Sequence, residues 1–590
     1  MRWLFRGEIL SSTELIRSFM FKRKWGYLSA ILAIGVSEFF QVRIPHILGN
    51  FINHLKAGGA TEHVILGFAS ELAVVAAGYV LLFGFGQTRI GYLGRILEFE
   101  LRQTLFSHWE TLSSRYFQQH SVGDLLSHSL NDVTSLRQAM SMGLNQISQA
   151  AFLFVATLYM TFRTIDVKLT LFSMVPILFI PAVIAVIRPQ VRMRSRLVQE
   201  GLSDMSELAE ESFQAIRLIK ATSNEPVDVE RFRRLTQEIV DRQMRLVRIN
   251  TLFQALVPLL SGVGFTVGLV YGGYLVIHAV ISLGAFVAFT VYLSMLVQPL
   301  MQFGIVINLF QNASASLMRI QVLLAVTPDI TDPDCPVERD WVGEVSVQHL
   351  TFTYPGSQHA ALKDVTVTVP KGTTLGIVGR TGAGKTTFMN LLLRDYDPPR
   401  ESMCIDGVDV RDMRLSDLRD LVAYVPQDGF LFSTTIGQNI AFSQPNVVPK
   451  AVERAAMDSR IWDTIRDMPD GIETEIGERG VMLSGGQRQR TAIARALIKS
   501  KANILVLDDS LSAVDTRTES DILQVLRKVR GEKTVIIAAH RLSALRDADW
   551  IIVLDKGEVV EEGTHSALIR RQGLYANLYR IQSGGEPAFG

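Results

Sequence analysis

Two short stretches carry residue types that act on phosphate. Gly379–Thr387 reads GRTGAGKTT, the pattern G-x-x-x-x-G-K-[ST], with a strand-like run (Leu375–Val378) before it and a helix-like run after it. Gly379, Gly382 and Gly384 let backbone N–H groups, those of Arg380, Thr381, Ala383 and Thr387 among them, close around phosphate oxygens. Lys385 reaches the β/γ oxygens, Thr386 offers its hydroxyl to Mg²⁺, and the helix N-terminus favours negative charge. Further on, the apolar run Ile504–Leu507 ends in Asp508 and Asp509. A buried strand that delivers carboxylates at its C-terminal tip can supply a Mg²⁺ partner and a base.

The chain that must position these groups falls into two halves. Its 590 residues exceed one compact core. Hydrophobic residues make up 48% and mean hydropathy is +0.22, unevenly spread. A net charge of +1 gives no argument for nucleic acid as a partner. The two cysteines, Cys335 and Cys404, suggest free thiols rather than a disulfide framework.

Residues 1–24 form an amphipathic stretch ending in Lys22-Arg23-Lys24, expected to lie at the membrane interface. Residues 25–326 contain six apolar segments, near Trp25–His54, Val64–Ile90, Gly143–Phe162, Leu169–Ile187, Thr251–Val280 and Ala285–Phe310. Each offers the ~20 residues that a spanning helix requires. Arginine and lysine concentrate at Lys22–Lys24, Arg89–Arg115 and Arg188–Arg248, which puts those segments and the C-terminal half in the cytoplasm. The two long internal loops are helical in pattern, so spanning helices are expected to continue into water and to turn near Val122–Asp124 and Gln214–Leu218. Within the spans, Glu38, Arg43 and Arg89 are the ionisable candidates for function or for pairing. Ser294, Gln298 and Gln302 recur every four residues as one polar stripe, which could face protein or line a substrate path. A Pro- and Asp-rich linker (327–342) leads to an α/β nucleotide-binding domain (343–582) and a tail, 583–590, expected to be flexible.

Between the glycine loop and the acidic strand stands LSGGQ, Leu483–Gln487. With six spans ahead of it, the chain resembles an ABC transporter of the exporter type (type IV), a half-transporter with fused membrane and nucleotide-binding domains. The resemblance implies a six-helix all-α membrane domain with long intracellular extensions, followed by an α/β ABC ATPase domain. It implies ATP and Mg²⁺ as cofactors, the lipid bilayer of the cell membrane as surroundings, and a second half-transporter as partner. Two such domains would close head to tail, so that each ATP lies between one chain's P-loop and the other's Ser484, Gly485, Gly486 and Gln487.

By the same resemblance Tyr354 (FTYPG) stacks on adenine, Gln427 (VPQD) senses Mg²⁺, and His540 (AAHR) meets the γ-phosphate. Thr474–Gly480 is similar to the exporter X-loop, Ser512–Asp515 to the D-loop and Gly123–Val133 to the first coupling-helix region. Asp508 would hold Mg²⁺ with Thr386 and Gln427, while Asp509, His540 and Gln427 would be catalytic.

One position departs from the family. Glu usually follows the metal-binding aspartate, and here Asp509 stands there, one methylene shorter. A ~1 Å misplacement can cost ~10²-fold in rate. An intact LSGGQ beside a weakened base resembles the degenerate-site subunit of a heterodimeric multidrug-type exporter of amphipathic small molecules, lipids or peptides. A homodimeric exporter, an importer on the same fold, an ATP-gated channel and a soluble ABC ATPase acting on nucleic acid are the competing readings.

Overall fold

The computed structural model describes residues 12–58, 61–444, 446–477, 483–512, 514–529 and 531–582. It contains two compact bodies. One comprises the chain up to Glu110 with His120–Thr327, and the other comprises Thr111–Gln119 with the chain from Pro328 onward. The expected interfacial stretch is described only from helix α1 (Ser12–Lys22); residues 1–11 and the tail 583–590 lie outside the described residues.

The first body is all helix. Its long members are α2 (Lys24–Lys56) and α3 (Glu62–Trp109). Beyond the short helices α4 (Ser114–Gln119, grouped with the second body), α5 (Val122–Ser127) and α6 (Val133–Gln138) come α7 (Leu144–Thr164) and α8 (Val167–Gln214). The short α9 (Ile216–Ala221) precedes α10 (Glu225–Ile277) and α11 (Leu283–Leu324). Among the described residues five helices (α2, α3, α8, α10 and α11) are long and apolar enough to cross a membrane. The remaining expected segment, Gly143–Phe162, forms α7, whose 21 residues reach ~30 Å, but Asn145, Gln146 and Gln149 dilute its first turns. The apolar window of α3 is only 6% buried within the chain, which leaves that helix to lipid or to a partner.

The helices cross closely where side chains are smallest. A Cβ on Gly284 of α11 would meet the Gly49 carbonyl of α2 at 1.8 Å, so only glycine permits this approach. Beside it Asn53 accepts from the Gly284 N–H (2.8 Å), and Tyr292 donates to the Val42 carbonyl (3.1 Å). Of the ionisable span residues, Glu38 is fully buried, Arg43 pairs with Glu71 at 3.5 Å, and Arg89 is exposed. On the polar stripe Ser294 and Gln298 are exposed and Gln302 is half-buried.

The turns in the two helical extensions differ from expectation at one place. The first extension breaks at Glu110–Ser121, and Val122–Asp124 is instead the first turn of α5. Ser121 caps that helix by accepting from the Asp124 N–H (3.2 Å), a local start signal that outweighs Gly123. From Val122 to Thr164 the chain is one helical run interrupted by two π-helical turns, His128–Asp132 and Ala139–Gly143. Asp132, at the end of the first π turn, accepts from Ser316 (2.8 Å) and Arg319 (Nε, 3.0 Å) of α11 and lies 2.7 Å from His128 Nδ1. Burial pushes its carboxyl up, but these partners outweigh it and hold it at about 2. The second extension turns between Gln214 and Glu225, with α9 inside the turn.

The second body contains two sheets. Strands β1 (Val345–Phe352), β2 (Leu362–Val369), β4 (Met403–Ile405) and β5 (Val408–Asp409) form an antiparallel sheet in the order β2-β1-β4-β5. The larger sheet, in the order β10-β9-β3-β8-β7-β6, contains β3 (Thr374–Gly379), β6 (Val422–Val425), β7 (Ile504–Asp508), β8 (Thr534–Ala538), β9 (Trp550–Asp555) and β10 (Glu558–Gly563). All its pairings are parallel except β9–β10. Every residue of β3, β7 and β8 is buried, as expected of parallel strands covered on both faces.

Alternation divides those strands between two cores. Ile377, Ile504, Val506 and Ile536 face the antiparallel sheet and helix α12 (Lys385–Leu392). Val378, Leu505, Leu507 and Ile537 face the opposite layer. A third cluster, from Leu431 to Ile498, joins small helices and includes the buried Leu483. The expected linker is pinned rather than loose: Asp332 accepts from the Leu415 N–H (2.7 Å) and Glu338 pairs with Arg414 (2.8 Å).

Candidate nucleotide site

Strand order explains why these residues meet. In the register of the large sheet Ile377 and Asp508 both pair with Ala538, and Val425 pairs with Leu507, so the C-terminal tips of β3, β8, β7 and β6 lie level. Gly379, His540, Asp508-Asp509 and Gln427 follow those four tips, at the edge where open α/β sheets bind ligands.

The loop Gly379–Gly384 enters α12 with φ +80° at Gly382 and +106° at Gly384. A Cβ at Gly384 would lie 2.7 Å from the Ala361 carbonyl, so glycine is required there by conformation and by space. The buried Lys385 curls over this loop and donates to the carbonyls of Gly379 (2.8 Å) and Arg380 (3.2 Å). Burial lowers its ammonium pKa, and the nearby Asp509 and Asp508 carboxylates pull it back up.

Thr386 donates to Asp508 Oδ1 at 3.4 Å, whereas Asp508 Oδ2 is buried with no hydrogen-bond partner. Burial pushes the Asp508 carboxyl above its ordinary value. A hydroxyl beside an orphaned carboxylate oxygen is a hard oxygen pair suited to Mg²⁺, and the glycine cradle suits a polyphosphate. Gln427 is exposed after β6, and its backbone carbonyl accepts from Gln489 at 3.5 Å.

Asp509 leaves the strand with φ +46°, a left-handed turn that Asp tolerates better than most side chains. Its N–H donates to the Ala538 carbonyl (2.9 Å), and its Oδ1 accepts from the His540 N–H (3.1 Å). The His540 ring stands 4.0 Å away, from Nε2 to Asp509 Oδ2. Tyr354 is part of an aromatic cluster: its ring meets Tyr396 edge-on at 5.0 Å and Phe352 at 5.1 Å, and its hydroxyl donates to Thr387 (3.1 Å). Tyr396 in turn donates to Gln118 of α4 at 3.2 Å.

The LSGGQ residues are built separately. Ser484 caps helix α17 (Gly485–Leu497), accepting from the Gln487 N–H (3.3 Å), and the Gln487 side chain accepts from the Ser484 N–H (2.8 Å). This reciprocal pair is a capping box. Among the described residues no hydrogen bond joins Ser484–Gln487 to Gly379–Thr387. Of the segment similar to the X-loop, 478–480 lie outside the described residues, as does position 513 of the one similar to the D-loop.

Residues that spacing did not reveal hold the loop after β8. Buried Glu519 accepts from Arg541 (3.1 Å) and Ser543 (2.7 Å), and Arg541 also donates to the Val514 carbonyl (2.8 Å). Gln582, far along the sequence, reaches the same loop.

Comparison with known proteins agrees with this geometry. The family described as "ABC transporter transmembrane region" matches residues 27–300, and that described as "ABC transporter" matches 362–512. The probable multidrug resistance ABC transporter ATP-binding/permease protein YheI of Bacillus subtilis is 36% identical over 95% of this chain and 96% of its own length. The multidrug resistance-like ATP-binding protein MdlA of Escherichia coli is 33% identical over 96% of each. An ATP-dependent lipid A-core flippase of Pseudomonas fluorescens is 33% identical over 94% of this chain and 93% of its own. A bacterial Atm1-family ABC exporter, solved with ATP bound, superposes with a TM-score of 0.78 at 26% identity, covering 95% of this chain and 99% of that one. With membrane helices, a glycine cradle, an acidic strand and LSGGQ in one chain, this multi-pass membrane protein belongs to the ABC transporters, as an exporter-type (type IV) half-transporter whose membrane and ATPase domains are fused.

Proposed function

We propose that this chain is the weak-site half of a heterodimeric exporter of the cell membrane, moving amphipathic small molecules, lipids or peptides. The observation that carries the reading is the Asp509 carboxylate. It is one methylene shorter than glutamate and already engaged by the His540 N–H at 3.1 Å. A base tied back to the loop beside it, with shorter reach, is poorly placed to orient water on a γ-phosphate, and geometry outweighs intrinsic basicity here.

Each residue keeps a definite task. The Gly379–Thr387 backbone and Lys385 bind phosphate, Tyr354 offers its ring to adenine, and Asp508, Thr386 and Gln427 would hold Mg²⁺, which neutralises developing phosphate charge. His540 positions the γ-phosphate at this chain's own site. Ser484, Gly485, Gly486 and Gln487 serve a partner's site, because Leu483 fixes them to the small-helix cluster and their capping box forms without the P-loop. Closure of two such domains drives alternating access, provided that nucleotide binds the closed state more tightly than the open one. The curated relatives named for multidrug resistance and lipid A-core flipping support an export direction and an amphipathic cargo.

The test is to purify the chain from its native membrane, identify the half-transporter that accompanies it, and compare ATP turnover of the chain alone with that of the pair. Slow turnover alone, fast turnover in the pair and acceleration by Asp509→Glu are expected. Brisk hydrolysis by the lone chain, unchanged by Asp509→Glu, would favour a homodimer with two working sites. Concentrative uptake of a dye into inside-out vesicles separates a pump from a channel.

A further inference from the structure

The loop carrying His540 is held at both ends of the histidine's own backbone. In front, the His540 N–H donates to Asp509 Oδ1 (3.1 Å). Behind, the His540 carbonyl accepts from Gln582 Nε2 (2.6 Å), and the Leu542 N–H donates to Gln582 Oε1 (2.9 Å). A carbonyl and an N–H presented side by side are matched by a primary amide, which carries an acceptor beside two donors. Reversing that amide would set donor against donor and acceptor against acceptor, so the pairing fixes its orientation.

Gln582 ends helix α20 (Leu574–Gln582), and that helix is itself anchored. Tyr575 is fully buried with its hydroxyl 2.8 Å from His565 Nδ1, and Glu561 accepts from the backbone N–H groups of Leu574 and Tyr575. The side chain therefore reaches from a fixed support onto the loop. Glu519 holds the next stretch through Arg541 and Ser543, but it leaves the His540 peptide untouched.

We infer that Gln582 is a positioning residue for phosphate chemistry at this site: α20 sets where the His540 ring stands, through two hydrogen bonds to the backbone just after it, at the His540 carbonyl and the Leu542 N–H. The inference rests on the ATPase reading of this site. It assigns the last helix of the described chain a role in turnover rather than in nucleotide capture, since Gln582 bonds neither the glycine loop nor Asp508 among the described residues.

The experiment uses the full-length transporter reconstituted in lipid and carrying Asp509→Glu, so that this chain's own site contributes measurably. Steady-state kcat and KM for MgATP, and the thermal midpoint, are read for Gln582→Met, Gln582→Glu and His540→Ala. Methionine keeps the volume and loses both bonds. Its kcat is expected to fall about 10-fold with KM within about twofold and the midpoint little changed, a smaller loss than the ~10² of a full 1 Å misplacement. Glutamate still accepts from Leu542 but faces the His540 carbonyl with an acceptor, and should fall between parent and methionine. A kcat for Gln582→Met within twofold of the parent would overturn the inference, and so would a fall accounted for by lost folded protein. If His540→Ala also leaves turnover unchanged, the ATPase reading of the site fails and the inference falls with it. Loss with His540→Ala alone leaves that reading standing and removes only the role of Gln582.

Discussion

Ser484 opens a 13-residue helix inside a complete capping box, whereas Asp509 follows a fully buried strand in a left-handed turn. Both belong to the stretch from LSGGQ to the acidic strand, but they are held in different ways. The first is fixed by its own helix and by Leu483 in the small-helix cluster, so its conformation does not depend on the P-loop. The second is fixed by neighbouring strand tips, and its chemistry depends on how far one side chain extends. On the proposed reading, one domain carries a sound half-site for its partner and a poor one for itself. On that reading a difference of one methylene suffices, because catalysis is more sensitive to position than folding is.

The largest expected effect lies at the signature end. Gly486→Asp in this chain should lower ATP turnover of the assembled transporter by ~10²–10³-fold, the range for losing a key phosphate-facing donor. Steady-state hydrolysis in reconstituted membranes measures it. Retained turnover would mean that this signature completes no working site.

Next comes the strand end. Asp509→Glu should raise turnover at this chain's site by ~10-fold or more, recovering part of a ~10² misplacement. Asp509→Asn should leave the pair's rate within about twofold, since a weak site has little to lose; a collapse with Asn would show Asp509 to be a working base.

A pH profile should distinguish Asp508 from an ordinary carboxylate. Burial raises its pKa, and Mg²⁺ requires the ionised form, so MgATP binding should weaken on acidification at a higher pH than usual for aspartate. Asp508→Asn should abolish that limb. A binding profile flat down to the ordinary aspartate range would break the assignment.

The smallest effect is structural. Ser484→Ala removes the cap of α17 and should cost about 1 kcal/mol of stability, read as a lower thermal midpoint, apart from any loss of turnover. An unchanged midpoint would mean that the helix is held by Leu483 packing instead of by its cap.

Much of this was legible in residue order. The glycine loop, Lys385, Thr386 and the Asp508-Asp509 tip declare themselves because phosphate chemistry restricts both type and spacing. The apolar segments announce a membrane because ~20 residues without charge have few other uses. Less visible was the break at Glu110–Ser121, decided by the Ser121 cap and not by the nearby glycine. The anchoring of residues 327–342 was also hidden, because a Pro- and Asp-rich segment looks loose until Leu415 and Arg414 come round to meet it. Tyr354 was expected as an adenine platform. Its hydroxyl bond to Thr387 and its edge-on contact with Tyr396 depend on strands brought together from distant parts of the chain.

The sequence by itself determined the chemistry on offer: which side chains have the type and spacing that suit phosphate, which carboxylate is short, and which segments are too apolar for water. Those are local properties, fixed by residue type and by separations of a few positions. The tertiary structure alone decided how those groups are held. Parallel pairing levels the tips of β3, β8, β7 and β6, burial leaves one oxygen of Asp508 unbonded, and a glutamine at the end of α20 grips the backbone that follows the His540 side chain. Hydrogen bonds between residues far apart in sequence follow no periodic pattern, so they become visible only when the chain is folded.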